Sequence, residues 1–283
     1  MSEKLNNARP RRAGNNLIGV FDSGLGGLTV LKKFLIHLPG YHYVYLGDTA
    51  RVPYGDKSPE IIYEYTVQAV EFLFSKGCNL IIIACNTASA QALRRLQQEW
   101  LPQNFPNRRV LGVIKPLAEA SAKNIKNKKI GIIGTNATIS SDSYKKEIEA
   151  LNYKLKVYQQ AAPLLVPLIE AGRINKPETE IILKSYLTPL KNKKIDTLIL
   201  ACTHYPFLHA EIQKIVGPHV SIPDTGKIIA ISLKDYLKRH PELNINKSKT
   251  ACEFYTTDNS KTFKNLAEKF LEKKIKSIKR VDL

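Results

Sequence analysis

Short apolar segments alternate with longer amphipathic segments along much of the chain. Apolar positions in residues 28–38 and 58–77 recur at helical spacing, and Ser58 stands where an N-cap is expected. Four strand-like runs are rich in Leu, Ile and Val: residues 17–24, 43–48, 80–85 and 110–116. Such runs are typical of parallel strands that are buried on both faces. The pattern predicts an α/β fold with parallel sheets and helices on both faces.

The second half of the chain repeats this order. Residues 130–135 resemble residues 18–23 at an offset of 112 positions, and the runs that lead to Cys85 and Cys202 have a similar offset of 117. Two further pairs of segments follow the same order: residues 43–48 with 155–160, and residues 110–116 with 220–226. A nearly constant offset indicates two similar units that arose by duplication. We therefore expect two pseudo-symmetric α/β domains.

The repeat also sets the expected domain boundaries. Residues 17–112 together with residues 222–283 are expected to form the first domain, and residues 113–221 the second. Helical patterns after Lys227 have no partner in the repeat, so they are expected to pack back on one of the units. Residues 1–16 lack the apolar centre of a signal peptide and are expected to be a disordered leader.

The composition is that of a globular protein. The chain has 283 residues, of which 43% are hydrophobic, and this is enough for two domains with their own cores. Its apolar runs are far shorter than the roughly 18 residues that a membrane span needs. Four cysteines without a signal peptide indicate a reducing compartment. We expect a cytoplasmic protein that is not embedded in a membrane.

The strong positive charge requires an explanation. The chain has 43 Lys and Arg against 25 Asp and Glu, a formal net charge of +18, which can indicate a nucleic-acid partner. The excess, however, lies in scattered clusters, at residues 123–129, at residues 191–194 and after Asn246. Aromatic residues that could stack on bases are not interleaved with them. We therefore interpret the clusters as solvated faces and not as a nucleic-acid interface.

Both cysteine runs end in polar residues. Ligands bind beyond the carboxyl ends of parallel strands, so two facing units would bring Cys85 and Cys202 to one cleft. The helix after each strand is expected to place its N-terminus near the thiol, which favours anions and lowers a thiol pKa. The polar residues at predicted strand ends are Asp22, Ser23, Asp48, Asn86, Thr87, Thr135, Thr203 and His204.

Two thiols on opposite sides of a cleft fit a two-base reaction at a Cα atom. One thiolate removes the hydrogen from one face, and the other thiol returns a hydrogen to the opposite face. Cysteine, with a pKa of roughly 8.5, can supply both forms near neutral pH. Cys78 and Cys252 lack the polar surroundings of this pair and are expected to be buried or incidental. Such a reaction inverts an amino acid and needs no cofactor.

Other chemistries fit the sequence less well. The glycines of residues 24–27 lack the third glycine of a dinucleotide loop, and no G-K-[ST] phosphate loop is present, so we expect these glycines to let the backbone approach a substrate. Cys202 and His204 lack the companion ligands that a metal site needs. A Cys–His hydrolase would leave the second cysteine unexplained, and nothing marks a pyridoxal site.

The motifs together resemble those of the glutamate racemase family, within the aspartate/glutamate racemase superfamily. The resemblance extends from about Ile18 to Leu233 and rests on FDSGLGGLTV, LGDTARVPYG, ACNTASA, IGIIGTNATI, LVPLIEAG and LACTHYPFL, in the family's order. It implies a cofactor-independent racemase with its active site between the domains, commonly a homodimer. The family interconverts L- and D-glutamate and supplies D-glutamate for peptidoglycan.

The resemblance also implies roles for individual residues. Cys85 and Cys202 are the implied catalytic acid and base. The implied substrate contacts are Asp22, Ser23, Tyr54, Gly55, Asn86, Thr87, Thr203 and His204. The implied supporting groups are Asp48, Glu170 and Thr135, together with His204, which would help to orient or tune a thiol.

The chain departs from the family pattern at two places. Lys115 and Leu117 lie where relatives often have Glu-Pro-Gly, and Ala162 lies where they often have cysteine. Neither departure affects a residue assigned to the chemistry. Two alternatives stay open: a racemase of the same superfamily that acts on aspartate or another amino acid, and a basic nucleic-acid- or protein-binding module that has kept the fold.

Overall fold

The computed structural model describes residues 17–123, 128–245, 247 and 249–283, so the expected leader lies outside the described residues. It contains two parallel sheets. The strands are β1 (Leu17–Asp22), β2 (His42–Gly47), β3 (Cys78–Ile83), β4 (Arg109–Gly112), β5 (Lys129–Gly134), β6 (Lys156–Ala161), β7 (Thr197–Ala201), β8 (Ala251–Thr256) and β9 (Ile278–Arg280). The first sheet has the order β4-β3-β1-β2-β8-β9, and the second has the order β6-β5-β7.

The two sheets share one strand order, which supports the repeat found in the sequence. In the first sheet β1 pairs with β2 and β3, and β4 pairs with the outer side of β3. In the second sheet β5 pairs in the same way with β6 and β7. A full strand equivalent to β4 is replaced by a single parallel bridge between Thr197 and Ser221. Ser221 lies in residues 220–226, the segment that the sequence pairs with residues 110–116. The predicted α/β fold with two parallel sheets is confirmed.

Helices connect the strands. They are α1 (Leu28–His37), α2 (Pro59–Ser75), α3 (Asn86–Gln91), α4 (Leu93–Arg95), α5 (Leu101–Asn104), α6 (Ile114–Lys123), α7 (Asn136–Ser140), α8 (Ser143–Leu151), α9 (Leu165–Glu170), α10 (Pro177–Asn192), α11 (His209–Val216), α12 (Thr225–Arg239) and α13 (Ser260–Leu271). Ser58 caps α2 as predicted, since its side chain accepts a hydrogen bond from the Ile61 N–H.

Apolar side chains cover both faces of the sheets. On β1, Ile18 and Val20 belong to a cluster that also includes Ile132 and Ile199 of the second sheet. Phe21 points to the opposite face and packs in a second cluster with residues of α2. A third cluster lies behind the second sheet against α10 and α11. Because successive strand residues point to opposite faces, these continuous apolar runs are what a sheet buried on both sides requires.

The end of the chain returns to the first sheet. The sequence pattern predicts helices after Lys227, and α12 packs against α1 and, beyond the expected boundary at residue 113, against α6. In addition, β8 pairs with β2 along its whole length and β9 pairs with β8, and these two strands are not predicted by the pattern. Within the described ranges no helix is long and apolar enough to cross a membrane.

Candidate active site

Cys85 lies directly beyond β3, at the start of α3. It is the N-cap of that helix, and its Sγ accepts a hydrogen bond from the Ala88 N–H at 3.5 Å. The thiol also donates to Ser23 Oγ at 3.4 Å, just beyond the end of β1. The residue is 4% exposed. A strand and a helix therefore fix this thiol at the carboxyl edge of the first sheet, where the sequence predicts it.

Opposing effects act on the pKa of the Cys85 thiol. Burial and the charge of Asp22 raise its pKa to about 12, although the hydrogen bonds from Ala88 and with Ser23 act in the opposite direction. Cys202 lies near enough to add to the increase. The Ala88 N–H at the helix N-terminus does act to lower this pKa, as expected, but the loss of hydration and the charge of Asp22 outweigh it, so the net shift is upward.

Cys202 holds the corresponding position beyond β7. It is buried, and its Sγ lies 4.0 Å from Nδ1 of His204. No helix begins at Cys202 itself: a 3₁₀ turn, Tyr205–Leu208, begins three residues later and leads into α11, so the predicted helix N-terminus is displaced from this thiol. The two cysteines therefore occupy equivalent strand ends but have different immediate neighbours.

His204 connects Cys202 to a carboxylate. Its Nε2 lies 3.1 Å from Oε1 of Glu170, at the end of α9. Burial lowers the pKa of His204, but the hydrogen bonds with Cys202 and Glu170 outweigh it, and the pKa is raised to about 10. As an imidazolium, His204 donates to Glu170 from one ring nitrogen and presents the other N–H to the Cys202 sulfur.

Asp22 lies close to Thr203 and acts electrostatically on Cys85 and His204. It is fully buried at the end of β1, where its Oδ2 accepts from the Gly24 N–H at 3.0 Å and its Oδ1 accepts from Thr203 Oγ1 at 3.2 Å. Burial raises its pKa, and its charge acts on both Cys85 and His204. The charge of this one carboxylate therefore affects both Cys85 and His204, the neighbour of Cys202.

The glycine-rich turn after β1 makes this contact possible. A Cβ at Gly26 would lie 2.3 Å from Thr203 Oγ1 and 2.6 Å from His204 Nδ1, and a Cβ at Gly27 would lie 2.4 Å from Asp22 Cβ. The sequence predicts that these glycines let the backbone approach a substrate. In the structure Gly26 and Gly27 let the turn approach residues of the site, since there is no room for a side chain.

Tyr54 and Gly55 belong to a turn that faces the second sheet. The Tyr54 hydroxyl donates to Asp48 Oδ2, and a Cβ at Gly55 would lie 2.7 Å from Thr135 Cβ. Asp48 is fully buried and also accepts from Thr257 Oγ1, at 2.8 Å. The described side-chain contacts of Asp48 are with Tyr54, Thr257 and Arg51, and neither thiol is among them.

Hydroxyl groups of both sheets meet beside Cys85. Thr87 Oγ1 lies 2.9 Å from Thr135 Oγ1 and 3.3 Å from Thr138 Oγ1. Thr135 caps α7, as its side chain accepts from the Thr138 N–H. Asn86, the residue before Thr87, accepts a hydrogen bond from the Tyr144 hydroxyl at 2.6 Å. The second unit thus supplies hydrogen-bond partners to the first residues of α3.

The structure brings most of the predicted site residues together and adds others. Thr138, Tyr144 and Thr257 contact predicted site residues but are not identified from the sequence. The spacing of Thr135 and Thr138 at the start of a helix is a signal that could have identified Thr138. The other two come from α8 and from the end of β8, and no local pattern marks them.

We expect Asp22→Asn to lower the pKa of Cys85 below about 12, since the substitution removes a buried charge that raises it. The measurement is the pH dependence of alkylation by iodoacetamide, followed on the Cys85 peptide by mass spectrometry. Asp224→Asn, which removes a partly exposed carboxylate paired with Lys33, is the control and should leave the midpoint unchanged. An unchanged or higher midpoint in Asp22→Asn would contradict this account.

Known proteins are similar to this chain in sequence and in fold. The sequence profile of the Asp/Glu/Hydantoin racemase family matches residues 30–231. A glutamate racemase of Persephonella marina is 45% identical over 251 residues, which cover 89% of this chain and 92% of the relative. The crystal structure of glutamate racemase isoform RacE1 from Bacillus anthracis has a TM-score of 0.85 at 38% identity, covering 95% of this chain and 98% of that one.

A third relative was solved with a bound amino acid. Glutamate racemase from Francisella tularensis, in complex with D-glutamate, has a TM-score of 0.84 at 35% identity, and the match covers 95% of this chain and 98% of that one. The fold of two parallel sheets, together with these relatives, therefore identifies the chain as an amino-acid racemase. The chain belongs to the Asp/Glu/Hydantoin racemase family, and the resemblance to glutamate racemases found in the sequence is confirmed.

Proposed function

We propose that this enzyme interconverts L- and D-glutamate, without a cofactor, by two-base proton transfer between Cys85 and Cys202. The observation that carries the proposal is the placement of the two buried thiols, one at the end of β3 and one at the end of β7, with Asp22 acting on the surroundings of both. A racemase needs a proton acceptor and a donor on opposite faces of Cα, and two thiols from two facing sheets meet that need.

In the proposed reaction one cysteine, as thiolate, takes the Cα proton and leaves a carbanion that the substrate carboxylate helps to stabilise. The other cysteine, as thiol, donates its proton to the opposite face, which inverts the centre. The roles exchange for the mirror-image substrate. At the end of one turnover the first cysteine is a thiol and the second a thiolate, so the number of protons is unchanged. Before the next turnover in the same direction, the first thiol must lose its proton to solvent and the second thiolate must gain one.

Substrate binding would prepare the thiols for this step. Burial and Asp22 hold the Cys85 pKa at about 12 without substrate, which disfavours the thiolate. We propose that the substrate ammonium group lies beside Asp22, where its positive charge would lower the pKa of Cys85. His204, already positioned by Glu170 at 3.1 Å, would stabilise negative charge on Cys202. The reactive form would then be populated mainly when substrate is present.

The proposed substrate contacts lie on both sides of the thiols. At the start of α3, backbone and side-chain groups of Asn86 and Thr87 would bind one carboxylate of the substrate. Thr203 and His204 would contact the substrate from the second sheet. Ser23, Tyr54 and Gly55 would complete the pocket. Glutamate is favoured over aspartate because the similar proteins at 35–45% identity are glutamate racemases and one of them was solved with D-glutamate.

We further propose that the product D-glutamate serves peptidoglycan synthesis, and therefore cell-wall formation and cell shape. The enzyme would work in the cytoplasm, a location that agrees with its four free cysteines. It would act as a homodimer, which light scattering of the purified protein can test. The positive surface charge plays no part in this proposal.

The test is proton NMR of the purified, reduced protein with L- or D-glutamate in D2O, without added cofactor. We expect the Cα hydrogen to exchange from both enantiomers, with conversion of each into the other. Exchange of aspartate but not glutamate would overturn the substrate assignment and leave the two-thiol reaction standing. A folded, reduced sample that exchanges neither amino acid would overturn the proposed activity.

A further inference from the structure

A buried hydrogen bond joins the two units beside the site. Tyr144 lies on α8, between β5 and β6 of the second sheet, and Asn86 is the first residue of α3, directly after Cys85. The Tyr144 hydroxyl lies 2.6 Å from Asn86 Oδ1, and Tyr144 is fully buried while Asn86 is 7% exposed. The bond therefore connects a substrate-contact residue of one unit to the core of the other.

The chemistry of the two groups fixes the orientation of the amide. A buried hydroxyl that does not donate its proton to an acceptor loses about 1–3 kcal/mol of hydrogen-bond and hydration energy. Asn86 Oδ1 is the acceptor that the described part of the chain provides for Tyr144. If the amide were turned over, two donors would face each other or the phenolic proton would lack an acceptor. The oxygen of Asn86 must therefore point to Tyr144, and the NH2 group must point away from it.

We propose that Tyr144 is a positioning residue that holds the Asn86 NH2 group towards the substrate, where it donates to a carboxylate of the amino acid. This inference rests on the proposed function. An amide has a donor end and an acceptor end of nearly the same shape, and only the donor end attracts a carboxylate. A free Asn86 would present its oxygen to the substrate for part of the time and would repel it. The Tyr144 hydroxyl removes that orientation.

The role of the Tyr144 hydroxyl can be tested separately from the role of its ring. The ring belongs to the apolar cluster shared by the two sheets, with Ile148 of the same helix and Leu117 of α6. Tyr144→Phe keeps this packing and removes only the oxygen. A role limited to packing would therefore leave substrate affinity unchanged in that variant, whereas a role in orienting Asn86 would weaken it.

The experiment compares Tyr144→Phe with Tyr205→Phe. Tyr205 is the matched control, since it is also fully buried but donates its hydroxyl proton to the backbone oxygen of Ala162 at 2.8 Å. We expect KM for glutamate to rise about tenfold in Tyr144→Phe, with kcat changed less than about threefold, as for the loss of one hydrogen bond to substrate. Tyr205→Phe should show a wild-type KM. Calorimetric titration of D-glutamate, with both cysteines replaced by serine in each protein, should show the same tenfold change in Kd.

A double-mutant cycle with Asn86→Ala gives the second readout. In the Asn86→Ala background, Tyr144→Phe should have no further effect on KM, because the amide that it orients is gone. An unchanged KM and Kd in Tyr144→Phe, or an equal effect with and without Asn86, would overturn the positioning role. A wild-type protein that neither binds nor exchanges glutamate would overturn the proposed function, and this inference with it, so the two failures are distinguishable.

Discussion

Replacing either Cys85 or Cys202 by serine is expected to reduce racemisation of glutamate by about 10²–10⁴-fold, the usual contribution of one general acid or base. Serine keeps the size and the hydrogen-bonding ability of the side chain but is a far weaker acid than a thiol. Both directions should fall together, because in the proposed mechanism each cysteine is the base in one direction and the acid in the other. The measurement is the rate of loss of optical activity from L- and from D-glutamate.

Hydrogen exchange at Cα tests the two-base mechanism more directly. Each serine variant retains one thiol, so it should still exchange the Cα hydrogen of the enantiomer whose hydrogen faces that thiol. The two variants should therefore retain exchange of opposite enantiomers in D2O. Cys252→Ser is the control, because Cys252 is a half-buried cysteine on β8, outside the site, and this variant should keep wild-type activity. Equal exchange of both enantiomers in either variant would rule out the assignment of one thiol to each face.

Gly26→Ala is expected to lower kcat/KM by roughly 10²-fold, the loss typical of a displacement of about 1 Å in a catalytic group. A new Cβ would lie 2.3 Å from Thr203 Oγ1 and 2.6 Å from His204 Nδ1, so one of these side chains or the turn itself must move. His204 is the group that contacts the Cys202 sulfur. A substitution in the turn that follows β1 of the first sheet would thus change the surroundings of Cys202, which lies at the end of the second sheet.

Gly24→Ala provides the matched comparison in the same turn. Its Cβ would lie 3.3 Å from a methyl group of Val52 and 3.9 Å from Glu170 Oε1, which small side-chain movements can accommodate. We expect kcat/KM of Gly24→Ala to stay within about threefold of wild type, and both variants to unfold cooperatively in urea. If Gly26→Ala were folded and as active as Gly24→Ala, the close approach of this turn to His204 would have no catalytic importance.

The sequence predicts those features that depend on local patterns. β1, β3, β5 and β7 lie where continuous apolar runs require strands buried on both faces, and Ser58 caps α2 because its hydroxyl precedes a helical pattern. The position of each proposed catalytic cysteine follows from the same runs, since parallel strands deliver their last residues to one edge of a sheet.

Features that depend on distant parts of the chain are not predicted. β8 has the short mixed sequence ACEFYT, and its strand pairs with β2 along its whole length, a partner about 200 positions earlier in the chain. The raised pKa of Cys85 results mainly from burial and from Asp22, which lies 63 positions earlier in the chain. Likewise, the contacts of Tyr144 and Thr257 with Asn86 and Asp48 arise only when separate elements pack together.

The return of the chain end to the first sheet determines the order in which the protein can fold as it is synthesised. The second sheet consists of β5, β6 and β7 and one bridge to Ser221, so all its strands exist before α12 is made. The first sheet contains both the first strand and the last, and β2 gains its partner β8 only when residues 251–256 emerge. Until then one edge of β2 has unpaired backbone N–H and C=O groups. The chain is therefore most prone to aggregate during this period.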